Sequence, residues 1–109
     1  MTTAPSLPIR EQDFTNAVIQ LAQYRGWLVA HFRPGRTVKG WRTPVQGHRG
    51  YPDLTMSRAG RLIFAELKTQ KGKTTPEQDL WITALQASNA EVYVWRPRDL
   101  RESIPDILR

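Results

Sequence analysis

The sequence predicts an α/β fold, a three-layer core in the order α-β-β-β-α-β around a mixed central sheet. Three observations carry that expectation: an apolar stripe at helical spacing near the start, two strand-like runs around a tight turn in the middle, and a strongly capped helix followed by a short apolar strand. The chain has 109 residues, which is the size of one core. Residues 1–8 read as a flexible, Pro-containing leader, and 9–109 as one domain.

The first helix is expected over 10–25. Phe14, Ala17, Val18, Leu21 and Ala22 recur on one face, and Gly26 ends the pattern. The run Trp27-Leu28-Val29-Ala30-His31-Phe32 follows as a strand. Residues 33–51 then read as a long loop, rich in Gly and Pro and without periodicity. The hairpin comes next, with strands over 54–57 and 62–67 joined across Arg58-Ala59-Gly60-Arg61, so that the loop has two or four residues. A basic connection over 68–74 leads to the second helix. Thr75 is its N-cap, Pro76 takes the first helical position and Gln78 completes a capping box. Trp81, Ala84, Leu85 and Ser88 continue one face, and Asn89 suits a left-handed C-terminal position. Residues 91–95 are a strand stopped by Pro97, and 99–109 read as one or two helical turns. The third strand, second helix and fourth strand make a parallel crossover.

Composition narrows the chemistry. The net charge is +6, a surplus that favours polyanions. There is no cysteine, which excludes disulfides, thiolate metal sites and cysteine nucleophiles. Any metal must be held by oxygen or imidazole. The start of the chain lacks the apolar core of a signal peptide, and no run has the length of a membrane span, so a soluble cytoplasmic protein is expected.

The hairpin places two carboxylates together. With its centre between Ala59 and Gly60, Ser57 faces Leu62 and Asp53 faces Glu66, and either loop length keeps that register. Directly opposed residues have Cβ atoms roughly 4.5–5.5 Å apart, where two carboxylates repel. A hard divalent cation between them offsets the repulsion, because Mg²⁺ takes oxygen ligands and commonly one or two carboxylates. Lys68 lies two residues beyond Glu66 and so shares its face. It could stabilise charge developing on phosphorus, or orient and help deprotonate an attacking water. The Leu67 carbonyl is a candidate further ligand. These parts suit metal-assisted phosphodiester hydrolysis.

Separately, Pro52-Asp53 is an ordinary turn and Glu66-Leu67-Lys68 an ordinary solvated strand face; it is their occurrence on facing strands that points to a site. Glu11 continues the apolar stripe of the first helix, which directs it toward the sheet, although an acid in a first turn also complements the helix dipole. Gln78 shares a face with Trp81 and Leu85, but capping alone explains it.

The run Gly50-Tyr51-Pro52-Asp53, then Phe64-Ala65-Glu66-Leu67-Lys68, then Gly72-Lys73 and Thr75-Pro76-Glu77-Gln78, resembles the virus-type replication-repair nuclease (VRR-NUC) family of the PD-(D/E)XK nuclease superfamily. Tyr93-Val94-Trp95-Arg96-Pro97 with Asp99-Leu100 is similar to the small stand-alone phage and bacterial members. The resemblance runs over most of the chain, and it implies an α-β-β-β-α-β core and Mg²⁺- or Mn²⁺-dependent DNA cleavage. It further implies that Asp53 and Glu66 bind metal, that Lys68 assists nucleophile and phosphate, that Glu11 completes the site and that Gln78 belongs to it. The stand-alone members are similar to Holliday-junction resolvases, which implies a homodimer acting on branched DNA in a bacterial or phage-infected cell.

The long loop supplies the candidate DNA contacts. Arg33, Arg36, Lys39, Arg42 and Arg49 reach for phosphates, Trp41 stacks on an unpaired base, and His48, Lys71 and Lys73 join them; the competing reading is a solvated loop. Two histidines so far apart do not suggest zinc, and His31 reads as structural. Trp27, Trp81 and Trp95 read as core. Ile104, Ile107 and Leu108 are candidates either for a dimer interface or for the chain's own core. Two alternatives to a branched-DNA endonuclease stand beside it: a nuclease on linear or single-stranded DNA, and a non-catalytic basic nucleic-acid-binding module.

Overall fold

The computed structural model describes residues 9–32, 35–37, 40–42 and 45–109, with the side chains of 35–37 and 40–42 excepted. Among them the order is α1 (Glu11–Tyr24), β1 (Leu28–His31), β2 (Gly35–Thr37), β3 (Gly40–Arg42), β4 (Leu54–Arg58), β5 (Arg61–Leu67), α2 (Pro76–Gln86), β6 (Glu91–Trp95), α3 (Asp99–Glu102) and α4 (Ile104–Ile107). The expected α/β core is present, and its sheet is mixed. Its strand order is β1-β4-β5-β6, antiparallel except for the β5–β6 pair, which is parallel.

The β4–β5 turn has two residues. Ala59 and Gly60 both take positive φ, at 48° and 81°, the twist that a two-residue hairpin needs. Ser57 therefore pairs with Leu62 and Leu54 with Ala65, in the expected register. Period-2 alternation then sorts the side chains by face. Leu54, Met56, Ile63, Ala65 and Leu67 join Phe14, Val18 and Ala22 of α1 in the core, closed by Trp27, Trp95, Ile104 and Leu108. Thr55, Leu62, Phe64 and Glu66 occupy the opposite face, on the α2 side.

Three expectations are corrected and one open alternative is resolved. The segment over 33–51 is not all loop: Gly35–Thr37 and Gly40–Arg42 form an antiparallel hairpin of their own. Asn89 does not take the left-handed conformation; α2 ends at Gln86 with Ala87 as its C-cap, and Ala59 is the non-glycine residue with positive φ among the described residues. Trp81 is half-buried rather than core, and α2 contains no fully buried residue. That helix covers β6 and part of β5, leaving Leu62 41% exposed. Ile104 and Leu108 are fully buried and Ile107 packs against the same core, so the three belong to the chain's own interior. The Trp27 indole N–H donates to the Leu108 carbonyl at 3.0 Å, and Arg58 donates to the carbonyls of Arg25 and Leu108. These bonds fasten the C-terminal turns to the end of α1. No helix among the described residues is long and apolar enough to cross a membrane.

Candidate active site

Asp53 stands one residue before β4, where the ladder to β5 gives way to a side-chain bond. Its carboxylate Oδ2 accepts the Leu67 N–H at 2.8 Å, a backbone donor that would otherwise be left over at the end of the strand pairing. The bond holds Asp53 against the last residue of β5, opposite Glu66. Lys68 closes the same strand end; its N–H donates to the Trp95 carbonyl of β6 at 2.9 Å. Its ammonium lies 3.7 Å from Glu66 Oε1 and is largely buried.

Glu66 is 2% exposed, one of two polar or charged residues buried among those described. Its two oxygens are treated differently. Oε1 accepts Gln78 Nε2 at 2.9 Å and faces Lys68, whereas Oε2 is buried without a hydrogen-bond partner. Burial, followed by the charge of Asp53, pushes the Glu66 carboxyl up to about 8, with Lys68 pulling the other way. A buried carboxylate set against a half-buried one, part-neutralised by a proton and with one oxygen that no N–H or hydroxyl reaches, is a donor set that a hard divalent cation satisfies.

Gln78 is held from both ends. Its Oε1 accepts the Thr75 N–H at 2.9 Å while the Thr75 hydroxyl accepts the Gln78 N–H, which completes the capping box. With Oε1 spent on a donor, Nε2 is the end turned to Glu66. The capping expected at Gln78 and its membership of the site are thus one arrangement, and Thr75, expected only as a cap, orients it.

A clamp that the sequence reading missed seats the segment before Asp53 on α2. Trp81 Nε1 donates to the His48 carbonyl at 3.3 Å. The Tyr51 ring meets Trp81, Phe32 and Phe64 edge-to-face, at centroid distances of 5.1, 5.5 and 6.0 Å. Gly50, at φ +94°, lies so close to α2 that a Cβ there would come within 2.5 Å of the Glu77 carbonyl carbon. The available signal was Gly50 itself, since a glycine two residues from Pro52 marks a close backbone approach.

The other candidates are placed as follows. Glu11 is exposed on the first turn of α1, and among the described residues no group of three or more His, Asp or Glu gathers, so it does not join the Asp53–Glu66 pair in this arrangement. His48, Arg49, Lys71 and Lys73 are exposed. Arg96 donates to the carbonyls of Thr69, Gln70 and Gly72, which fixes the turn carrying Lys71 just beyond Lys68. Arg33 and Lys39 lie outside the described residues, as do the side chains of Arg36, Trp41 and Arg42 and the leader over 1–8. His31 is half-buried in β1.

This arrangement of sheet and helices is the α/β core of a nuclease-like fold. A solved structure described as "VRR_NUC domain" has it too, with a TM-score of 0.64 and 22% sequence identity over 86% of this chain and 92% of that one. The likeness shows the fold. Neither a family model nor a curated protein sequence matches the chain.

Proposed function

We propose that the chain is a metal-dependent DNA endonuclease with Asp53, Glu66 and Lys68 as its catalytic centre. The observation that carries this reading is the buried Glu66 carboxylate, set against Asp53 with Oε2 unbonded and Lys68 alongside. A structural role accounts poorly for it, because the ammonium beside it, that of Lys68 at 3.7 Å from Oε1, faces two carboxylates and leaves Oε2 without a donor.

Asp53 and Glu66 would hold Mg²⁺ or Mn²⁺, with the Leu67 carbonyl as a further ligand; Glu11 is a candidate ligand on the resemblance alone, and joining the pair would take a rearrangement of the start of α1. A divalent cation there supplies Lewis-acid polarisation of the phosphate and a bound water acidified toward neutrality. The protein supplies position and charge. Leu67 N–H keeps Asp53 turned to Glu66, and Gln78 holds Glu66 Oε1 so that Oε2 stays directed at the ligand. Lys68, largely shielded from water, stabilises the negative charge that builds on phosphorus and orients the attacking water. Arg49, Lys71 and Lys73, with Arg33, Arg36, Lys39, Arg42, His48 and Trp41, form the DNA-binding set.

The DNA we propose is branched, and the enzyme a homodimer. One centre cuts one strand, whereas opening a four-way junction takes two symmetric cuts, and a two-fold dimer presents two identical centres. Cations on turns and loops suit recognition of backbone shape through phosphates. The test is a cleavage panel of four-way junction, flap, nicked and linear DNA with Mg²⁺, Mn²⁺ or EDTA, using wild type, Asp53→Ala and Glu66→Ala. Metal-dependent cleavage lost in both variants is expected, fastest on the junction. Equal rates on linear duplex would leave a simpler nuclease, and DNA binding without cleavage would leave a binding module.

A further inference from the structure

Continuing the β1–β4 pairing of His31 with Leu54 by one step sets Phe32 opposite Asp53, and the Phe32 N–H does donate to the Asp53 carbonyl at 3.3 Å. Asp53 in turn opposes Glu66, and Glu66 pairs with Val94 across the parallel β5–β6 ladder. Phe32, Asp53, Glu66 and Val94 therefore form one row across the sheet. Directly opposed neighbours sit roughly 5 Å apart at Cβ, so an aromatic ring flanks the carboxylate pair.

That ring is 48% exposed and stands outside the core cluster. It is nevertheless held in place. Tyr51 meets it edge-to-face at 5.5 Å, and Tyr51 is itself fixed by Phe64, by Trp81 and by a hydroxyl contact with Thr55 Oγ1 at 3.1 Å. Aromatic packing thus runs from the near-buried Phe64 out to Phe32 and ends in an open ring beside acidic groups, where burial is not the reason for it.

Resting on the nuclease reading, we propose that Phe32 is a binding platform for an unstacked nucleobase next to the scissile phosphate. A phosphate at the carboxylate pair brings the attached nucleoside alongside the neighbouring residue of the row, and every base offers a π-face to an aromatic ring. In intact duplex the bases are stacked on one another. The platform thus favours DNA whose bases near the cut are unstacked, as at an unpaired end, or unstack more readily than in continuous duplex, as where two strands exchange at a branch point.

The test compares wild type with Phe32→Leu and Phe32→Tyr on the four-way junction and on linear duplex. For Phe32→Leu, KM on the junction should rise about tenfold with kcat changed much less, and Phe32→Tyr should restore it. An unchanged KM in Phe32→Leu, or an equal loss in Phe32→Tyr, would overturn the proposal while leaving the nuclease reading intact. Failure of wild type to cleave any DNA with Mg²⁺ or Mn²⁺ would instead overturn the nuclease reading. Photocrosslinking with 5-iodouracil at the nucleotides flanking the cut, on wild-type protein in Ca²⁺, needs no variant to fold. Attachment at Phe32 is expected, and attachment only at other residues would count against the platform.

Discussion

Gln78 donates its amide Nε2 to Glu66 Oε1 at 2.9 Å, and this bond decides which oxygen of the buried carboxylate is left for a ligand. A residue near the start of α2 thereby sets the direction of one on β5. Gln78→Ala removes both the donor and half of the capping box. Stability should fall by about 1 kcal/mol, read by denaturant unfolding. Metal affinity should fall roughly 10- to 100-fold, read by calorimetric titration of Mn²⁺, as happens when a group that orients a ligand is lost. A variant that lost stability but bound metal as wild type does would reduce Gln78 to a cap.

The Glu66 carboxyl, pushed up to about 8 by burial and by Asp53, makes the metal-free protein sensitive to alkali rather than to acid at this position. Between the ordinary carboxylate range and about pH 8 the unfolded chain has released this proton and the folded chain has kept it. Folding stability therefore declines as pH climbs through that window and levels off above it. In EDTA, Glu66→Gln should have a flatter curve of Tm against pH than wild type and a higher Tm near pH 8. If the wild-type decline persists unchanged in Glu66→Gln, the burden lies on another group.

Gly50 and Gly47 offer a matched comparison. Both have positive φ, at 94° and 108°, but a Cβ at Gly50 would collide with the Glu77–Gln78 backbone, whereas at Gly47 nothing lies within 4 Å. Gly50→Ala should cost about 2 kcal/mol or more, from backbone strain and collision together. Gly47→Ala carries the strain alone and should cost about 1 kcal/mol. Equal losses in thermal unfolding would show that the close approach to α2 matters little.

Arg49, Lys71 and Lys73 are exposed cations on segments tied to the site, through the clamp at Trp81 and the turn held by Arg96. Each that contacts a phosphate should contribute roughly 0.9 to the slope of log K against log salt on duplex arms. Replacing all three with glutamine and measuring binding across a salt series checks this. An unchanged slope would place the DNA elsewhere on the surface.

The hairpin was the most legible part of the sequence, because a two-residue turn and strict alternation leave a single register, and the facing of Asp53 and Glu66 followed from it. The short strands at Gly35–Thr37 and Gly40–Arg42 were illegible for the converse reason: three residues apiece, with glycines at their starts, cannot show a period. The helical spacing of Trp81 and Leu85 identified a face but not its depth, since depth depends on how far α2 reaches across the sheet. Ile104 and Leu108 carried an apolar signal that fits either a surface patch or an interior, and what decides between them is their complete burial against the core, fastened by the bonds from Trp27 and Arg58 to the Leu108 carbonyl. Glu11 lay on the correct stripe, yet the stripe's buried members begin at Phe14, one turn later, which leaves the first turn in solvent.

His31 and Leu54 are ladder partners, so the chain departs from the sheet and rejoins it at adjacent points. Whatever length of polypeptide spans that gap adds only slowly to the entropic cost of closure. The segment between them is therefore an interchangeable module. Its middle could be lengthened, shortened or replaced by a transplanted loop with the carboxylate pair undisturbed, provided that Phe32 and residues 48–53 remain to flank and seat that pair. A scaffold of this kind lets the choice of target diverge while the chemistry stays constant.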